Sequence, residues 1–120
     1  MVDDTDYPKR GIQTELIGKV FSHVTHSMVL GFKALFLGIT DGFSQMLVDF
    51  ALVGEEGKKK NYGLKQKQLD ARFFKEHAEE SHTARRIKEY DQSKIVLMME
   101  IIRRVIKQKI HFDYILADSW

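Results

Sequence analysis

The stretch Ala34-Leu35-Phe36-Leu37-Gly38-Ile39-Thr40-Asp41-Gly42-Phe43-Ser44-Gln45-Met46-Leu47-Val48-Asp49 decides the fold. An Asp-Gly pair sits between two runs of β-favouring residues, the pattern of a two-residue hairpin whose turn needs positive φ at its centre. With Thr40 facing Phe43, Phe36 pairs with Leu47 and Ala34 with Asp49 on one face, and Leu37 with Met46 and Leu35 with Val48 on the other. Both faces are mostly apolar, so the expected setting is an α/β fold in which the hairpin is covered on both sides.

Working outward, the amino end offers a strand stub at Met1 to Asp4. On the carboxyl side, residues 54–83 are rich in charge and turn formers without a sustained period, and read as a basic loop or insertion. Ile95, Met98, Met99, Ile102, Ile106 and Ile110 then recur at three- and four-residue spacing, predicting a long amphipathic helix that starts as early as Ala84. After it, Phe112-Asp113-Tyr114-Ile115-Leu116-Ala117-Asp118 reads as a strand that ends on an acid.

The chain has 120 residues, no cysteine and a formal net charge of +2, and residues 1–120 suit one domain or a piece of one. The absence of cysteine excludes disulfides and thiolate metal sites and fits a cytoplasmic address. An acidic start and the short apolar stretch Met28 to Ile39, interrupted by Lys33, imply no signal peptide and no membrane span. Charge is unevenly placed. Residues 55–109 carry fifteen Lys/Arg against nine Asp/Glu, a balance of +6, and the remainder four against eight, a balance of −4. A basic middle suits a polyanion and acids elsewhere suit divalent cations, although lysine-rich polar stretches are usually just solvated surface.

Three motifs in this order, Val2-Asp3-Asp4-Thr5, Gly38-Ile39-Thr40-Asp41-Gly42-Phe43-Ser44 and Tyr114-Ile115-Leu116-Ala117-Asp118-Ser119-Trp120, resemble bacterial insertion-sequence transposases of the DDE type. The resemblance spans nearly the whole chain. It implies a partial ribonuclease-H-like fold: an antiparallel hairpin, a long amphipathic helix and a following strand beside a first-strand stub. It further implies metal-dependent DNA cleavage and strand transfer by a complete parent, with Mg2+ as cofactor, DNA as partner and a homodimer as a further partner arrangement. Two hard cations about 3.5–4 Å apart need oxygen ligands on neighbouring strand ends. The resemblance assigns Asp118 as the second family aspartate. For the first it offers Asp3, with Thr5 as the family threonine, or Asp4, directly before Thr5; alternation along a strand lets only one of them face Asp118. The family pattern Asp-x-Thr favours Asp3.

The family's third acid, a glutamate after the second aspartate, is missing, since only Ser119 and Trp120 follow Asp118, and Glu100 stands on the wrong side of it. The expectation is therefore a truncated domain without a complete metal site and with little or no cleaving activity. Lys9, Lys58, Lys59 and Lys60 are candidate DNA contacts, with solvated loop lysines as the simpler account. His23 with His26 and His77 with His82 are too few ligands for zinc, and Met98 and Met99 read as core filling. Two other readings stand beside the transposase: a non-enzymatic remnant that binds DNA or a partner protein, and a phosphatase with an aspartyl nucleophile, suggested by the Asp-x-Asp spacing.

Overall fold

The computed structural model describes residues 1–55 and 61–117. It is a mixed α/β structure: four antiparallel strands, β1 (Val2–Pro8), β2 (Gly18–Ser22), β3 (Ser27–Thr40) and β4 (Gln45–Val53), then α1 (Gln66–Ala71), α2 (His82–Tyr90) and α3 (Lys94–Lys107). Among the described residues no helix is long and apolar enough to cross a membrane.

The fourteen-residue β3 organises the sheet. β2 pairs with its first part (Val20 opposite Val29). β1 and β4 both pair with Lys33 to Leu37 and therefore flank β3 on opposite edges. The first strand is thus a full strand running past both acids to Pro8, longer than the stub expected from Met1 to Asp4. Where β1 ends, Gly31 lies opposite Pro8, and a Cβ there would come 2.2 Å from the Tyr7 carbonyl oxygen, so no side chain fits.

The hairpin forms around the Asp-Gly pair, with Gly42 at φ +91°, but its register differs from the two-residue reading. Thr40 faces Gln45, Ile39 faces Met46, and a bulge after Leu37 sets Leu37 opposite Asp49. Asp41 causes the difference. Its Oδ1 accepts from the amides of Phe43 (2.9 Å) and Ser44 (2.6 Å), while its own N–H donates to the Ser44 carbonyl at 3.3 Å, closing a four-residue loop.

The single long helix expected from Ala84 is two helices. Ser93 starts α3 by accepting a hydrogen bond from the Val96 amide, and Ser81 does the same for α2 through Ala84. The buried stripe of α3 is Leu97, Ile101, Ile102 and Val105, whereas Ile95, Met99 and Ile106 are exposed. Because α3 is apolar on more than one side, three- and four-residue spacing fits two phases equally well, and packing against the sheet selects the second. Val2, Leu35, Leu37, Ala51 and Val53 supply the facing sheet surface, with Met98, Ile110 and Phe112 at its margin.

Among the described residues no element covers the other face of the sheet, contrary to the two-sided cover expected. Tyr7, Phe32, Phe36, Leu47, Phe50 and Leu52 line a shallow apolar groove of about 300 Å³ there. Within the segment 54–83, residues 56–60 lie outside the described residues, and the described ones include α1 and the first two residues of α2. The last expected strand contributes one parallel bridge, Ala117 to Val2, with the Val2 amide donating to the Leu116 carbonyl at 2.7 Å.

Candidate functional site on the first strand

Alternation along β1 decides what each acid meets. Val2 and Asp4 face the helices; Asp3 lies opposite Phe36 on the uncovered face and is exposed. Its Oδ1 accepts the amide of Asp4 at 2.8 Å. Asp4 is half-buried, and its Oδ2 receives the Lys94 ammonium at 2.5 Å and lies 3.6 Å from that of Lys33. Burial alone would push the Asp4 carboxyl up; the Lys94 hydrogen bond and the charges of Lys94 and Lys33 outweigh it and hold the group below the usual aspartate range.

Lys33 lies in the middle of an apolar strand, and its side chain is 1% exposed. A buried ammonium demands acceptors. Lys33 donates to Glu55 Oε1 at 2.6 Å and to the Phe21 carbonyl at 3.2 Å, and Glu55 also accepts the Phe21 amide. The cluster therefore ties together β1, β2, β3, Glu55 two residues beyond β4, and the first residue of α3.

A second charged cluster locks both longer helices to the edge of β4. Asp49 receives Arg104 Nε at 2.6 Å and Arg86 Nη2 at 3.2 Å, and buried Glu89 receives Arg104 Nη1 at 2.6 Å and Arg86 Nη1 at 3.0 Å. Burial raises and the Arg104 bond more than offsets the Asp49 carboxyl, which lies below its ordinary range; Arg104 is lowered by burial but more strongly raised by Asp49 and Glu89. Arg86 also stacks 4.1 Å from the centre of the Phe50 ring. Arg104 Nη2 is buried without a hydrogen-bond partner, but each of the four side chains pairs with another within the domain, so this cluster serves cohesion.

Of the residues singled out from sequence, Asp4 is placed in a built environment, Asp3 is not, and Lys9 borders the uncovered apolar groove. Asp118 and Lys58, Lys59 and Lys60 lie outside the described residues. His77 is bonded to Glu15 at 2.9 Å. Lys33, Lys94 and Glu55 were missed by sequence reasoning. The available signal was Lys33 itself, a charge within an otherwise apolar run. Among the described residues no three carboxylate or imidazole groups converge on a point. With two ammoniums on Asp4, the donors present do not fit a Mg2+ ion, which wants several oxygen ligands. No family model, no characterised protein and no solved structure matches the chain.

Proposed function

We propose that the chain is part of the ribonuclease-H-like catalytic domain of a DDE-type insertion-sequence transposase, whose complete parent cuts and joins DNA in the cytoplasm. The observation that carries this reading is the parallel bridge between Val2 and Ala117. It brings the chain preceding Asp118 to the free edge of β1, beside the residue that precedes Asp3-Asp4. The connection that leads there passes through α3, packed on one face of the sheet, while β1 is antiparallel to β3 on its other edge. A strand that follows a long helix and lies beside the first strand is what the family resemblance implies.

Of the two candidate first acids, Asp4 is the better supported, because the fold holds it charged and half-buried while Asp3 is exposed. The donors around Asp4 do not make a metal site, so no catalytic step is assigned to this chain; the parent's chemistry would use Mg2+ bound with acids beyond those described here. DNA is the proposed partner, and a homodimer of the parent belongs to the same reading.

The test is genetic and biochemical. The coding segment should lie between inverted terminal repeats, and Asp4→Asn or Asp118→Asn in the parent should abolish strand cleavage of DNA carrying those ends. Flanking DNA without repeats, or full cleavage by both variants, would exclude the transposase. A second reading, a non-enzymatic DNA-binding remnant, is favoured by the capture of the Asp4 carboxylate by two lysines. Salt-sensitive DNA binding that survives Asp118→Ala in the chain itself would support it.

A further inference from the structure

The apolar side chains on the open face of the sheet form an ordered surface. Tyr7, Phe36 and Phe50, one each from β1, β3 and β4, lie in a row across it, with ring centres 6.1 Å and 6.3 Å apart. Along β3 the same face carries Leu30, Phe32, Ala34 and Phe36, and the small Ala34 makes a dip between two phenylalanines. Leu47 is 57% exposed, Tyr7 45% and Phe50 37%, and with their half-buried neighbours they present about 400 Å² of apolar surface. The two ends of the face differ in charge. Asp3 stands exposed beside Phe36 at one end, while at the other Lys9 borders the groove, its amide bonded to the Leu30 carbonyl. Six positions of β3, about 20 Å, separate the two ends. Among the described residues neither Asp3 nor Lys9 has an ion-pair partner.

We propose that this face docks a second copy of the chain, sheet against sheet, about a two-fold axis that lies between the two sheets and crosses the strands at the level of Lys33. Such an axis stacks β1 on β1 and β3 on β3 with their directions reversed. Position 32 of β3 then faces position 34 of the second copy and position 30 faces position 36, so that Phe32 of each copy enters the dip over Ala34 of the other. The same rotation sets Asp3 of each copy against Lys9 of the other, twice. An axis running along the strands would instead stack Asp3 on Asp3 and Lys9 on Lys9, a juxtaposition of like charges that selects against it. With the polar rim included, two such faces bury about 1,000 Å² in total, the low end for specific interfaces, so the dimer is a weak one. The inference goes beyond the transposase reading, which places a homodimer in the parent without naming a surface, and does not rest on it.

The test is sedimentation equilibrium of the 120-residue chain over about 5–500 μM, with circular dichroism to show that each variant is folded. Wild type should interconvert between monomer and dimer within that range. Asp3→Lys and Lys9→Asp, both at exposed positions, should each weaken the dimer about tenfold, because two like-charge contacts replace two attractive ones. An equimolar mixture of the two variants should recover association close to wild type, since each copy supplies the charge that the other has lost. Leu47→Lys should abolish the dimer through its apolar part, and Phe43→Ser, at the 99% exposed hairpin tip, should leave it unchanged. A wild type that stays monomeric throughout leaves the face to some other protein and overturns the proposal. Dimers that withstand both charge changes, a mixture that stays monomeric, or association lost in Phe43→Ser overturn it as well. Each of these failures leaves the transposase reading intact, because that reading depends on the terminal repeats and on cleavage by the parent.

Discussion

The buried ammonium of Lys33 gives the sharpest test of the energetics. It has two hydrogen-bond acceptors, Glu55 at 2.6 Å and the Phe21 carbonyl at 3.2 Å, a second carboxylate, Asp4, at 3.6 Å, and almost no contact with water. Removing one partner of a buried charge pair typically costs about 3–5 kcal/mol, because the other charge is left without compensation. Here the carboxylates are 14% and 23% exposed and there are two of them, so Glu55→Gln alone should cost only about 1–2 kcal/mol while Asp4 still neutralises the lysine. The double variant Asp4→Asn/Glu55→Gln leaves the ammonium with neutral acceptors, and its cost should reach about 3–5 kcal/mol, more than the two single changes together. Adding Lys33→Met should restore most of the loss, since methionine fills a similar volume without a charge. Urea unfolding followed by circular dichroism reads these differences directly. With a slope near 1.5 kcal/mol per molar, a 3 kcal/mol loss moves the midpoint by about 2 M. A double variant no less stable than the sum of its parts, or a triple variant no more stable than the double, would refute the argument.

Other consequences of the structure are open to simpler measurements. Gly31→Ala should prevent cooperative unfolding, because its Cβ would lie 2.2 Å from a backbone oxygen of β1 and neither strand can move alone; a sigmoidal melt near wild type would contradict this. Arg104→Ala removes two charged hydrogen bonds from half-buried Asp49 and buried Glu89 and should cost about 3 kcal/mol, whereas Arg85→Ala, at a half-exposed position 3.9 Å from Glu89, should cost under about 1 kcal/mol; equal midpoints for the two would count against the cluster. Ser93→Ala should cost about 1 kcal/mol through loss of the α3 cap, with Ser93→Asp close to neutral, as judged by the same denaturation assay. Asp4 and Asp49 both ionise below the ordinary aspartate value of 3.8 in the folded chain, so each binds fewer protons folded than unfolded. Their contribution is complete above that value and is lost as the pH falls below it, and Asp4→Asn/Asp49→Asn should flatten the acid limb of the stability profile while lowering the plateau at neutral pH.

The turn at Asp41-Gly42 was legible because its chemistry is local: the glycine takes the positive φ that the pair predicts. Register was not, since the Asp41 carboxylate collects two amides and lengthens the loop, a choice between two turns that the dipeptide permits equally. The division between α2 and α3 was signalled by Ser93 ahead of Lys94, but the apolar stripe continues weakly across it and masked the cap. The phase of α3 depended on the sheet it packs against, and the partners of Asp4 come from positions 33 and 94, so no window along the chain contains them. Alternation did predict that Asp3 and Asp4 would part company, but without the β1–β3 register it could not say which of them meets the helices.

The register of β1 therefore links stability to the candidate site. Val2 is fully buried against the α3 core, its amide holds the Leu116 carbonyl, and two residues farther along the same face Asp4 meets its lysines. A slip of one residue would move Asp4 to the uncovered face, strand Lys33 without one of its carboxylates, and place Asp3 or Thr5 against the helix. The charge cluster thus works together with Val2 as a register lock: a slipped strand forfeits both the apolar burial of Val2 and the neutralisation of Lys33. It follows that Val2→Ala should loosen the Asp4–Lys94 contact as well as reduce stability, because truncation weakens the nearest apolar anchor of that register. Hydrogen exchange of the Val2 amide can separate the two effects. Global unfolding alone should raise exchange at Val2 and Leu35 equally, whereas a weakened lock should raise it selectively at Val2, and equal acceleration at both would dismiss the link between anchor and acid.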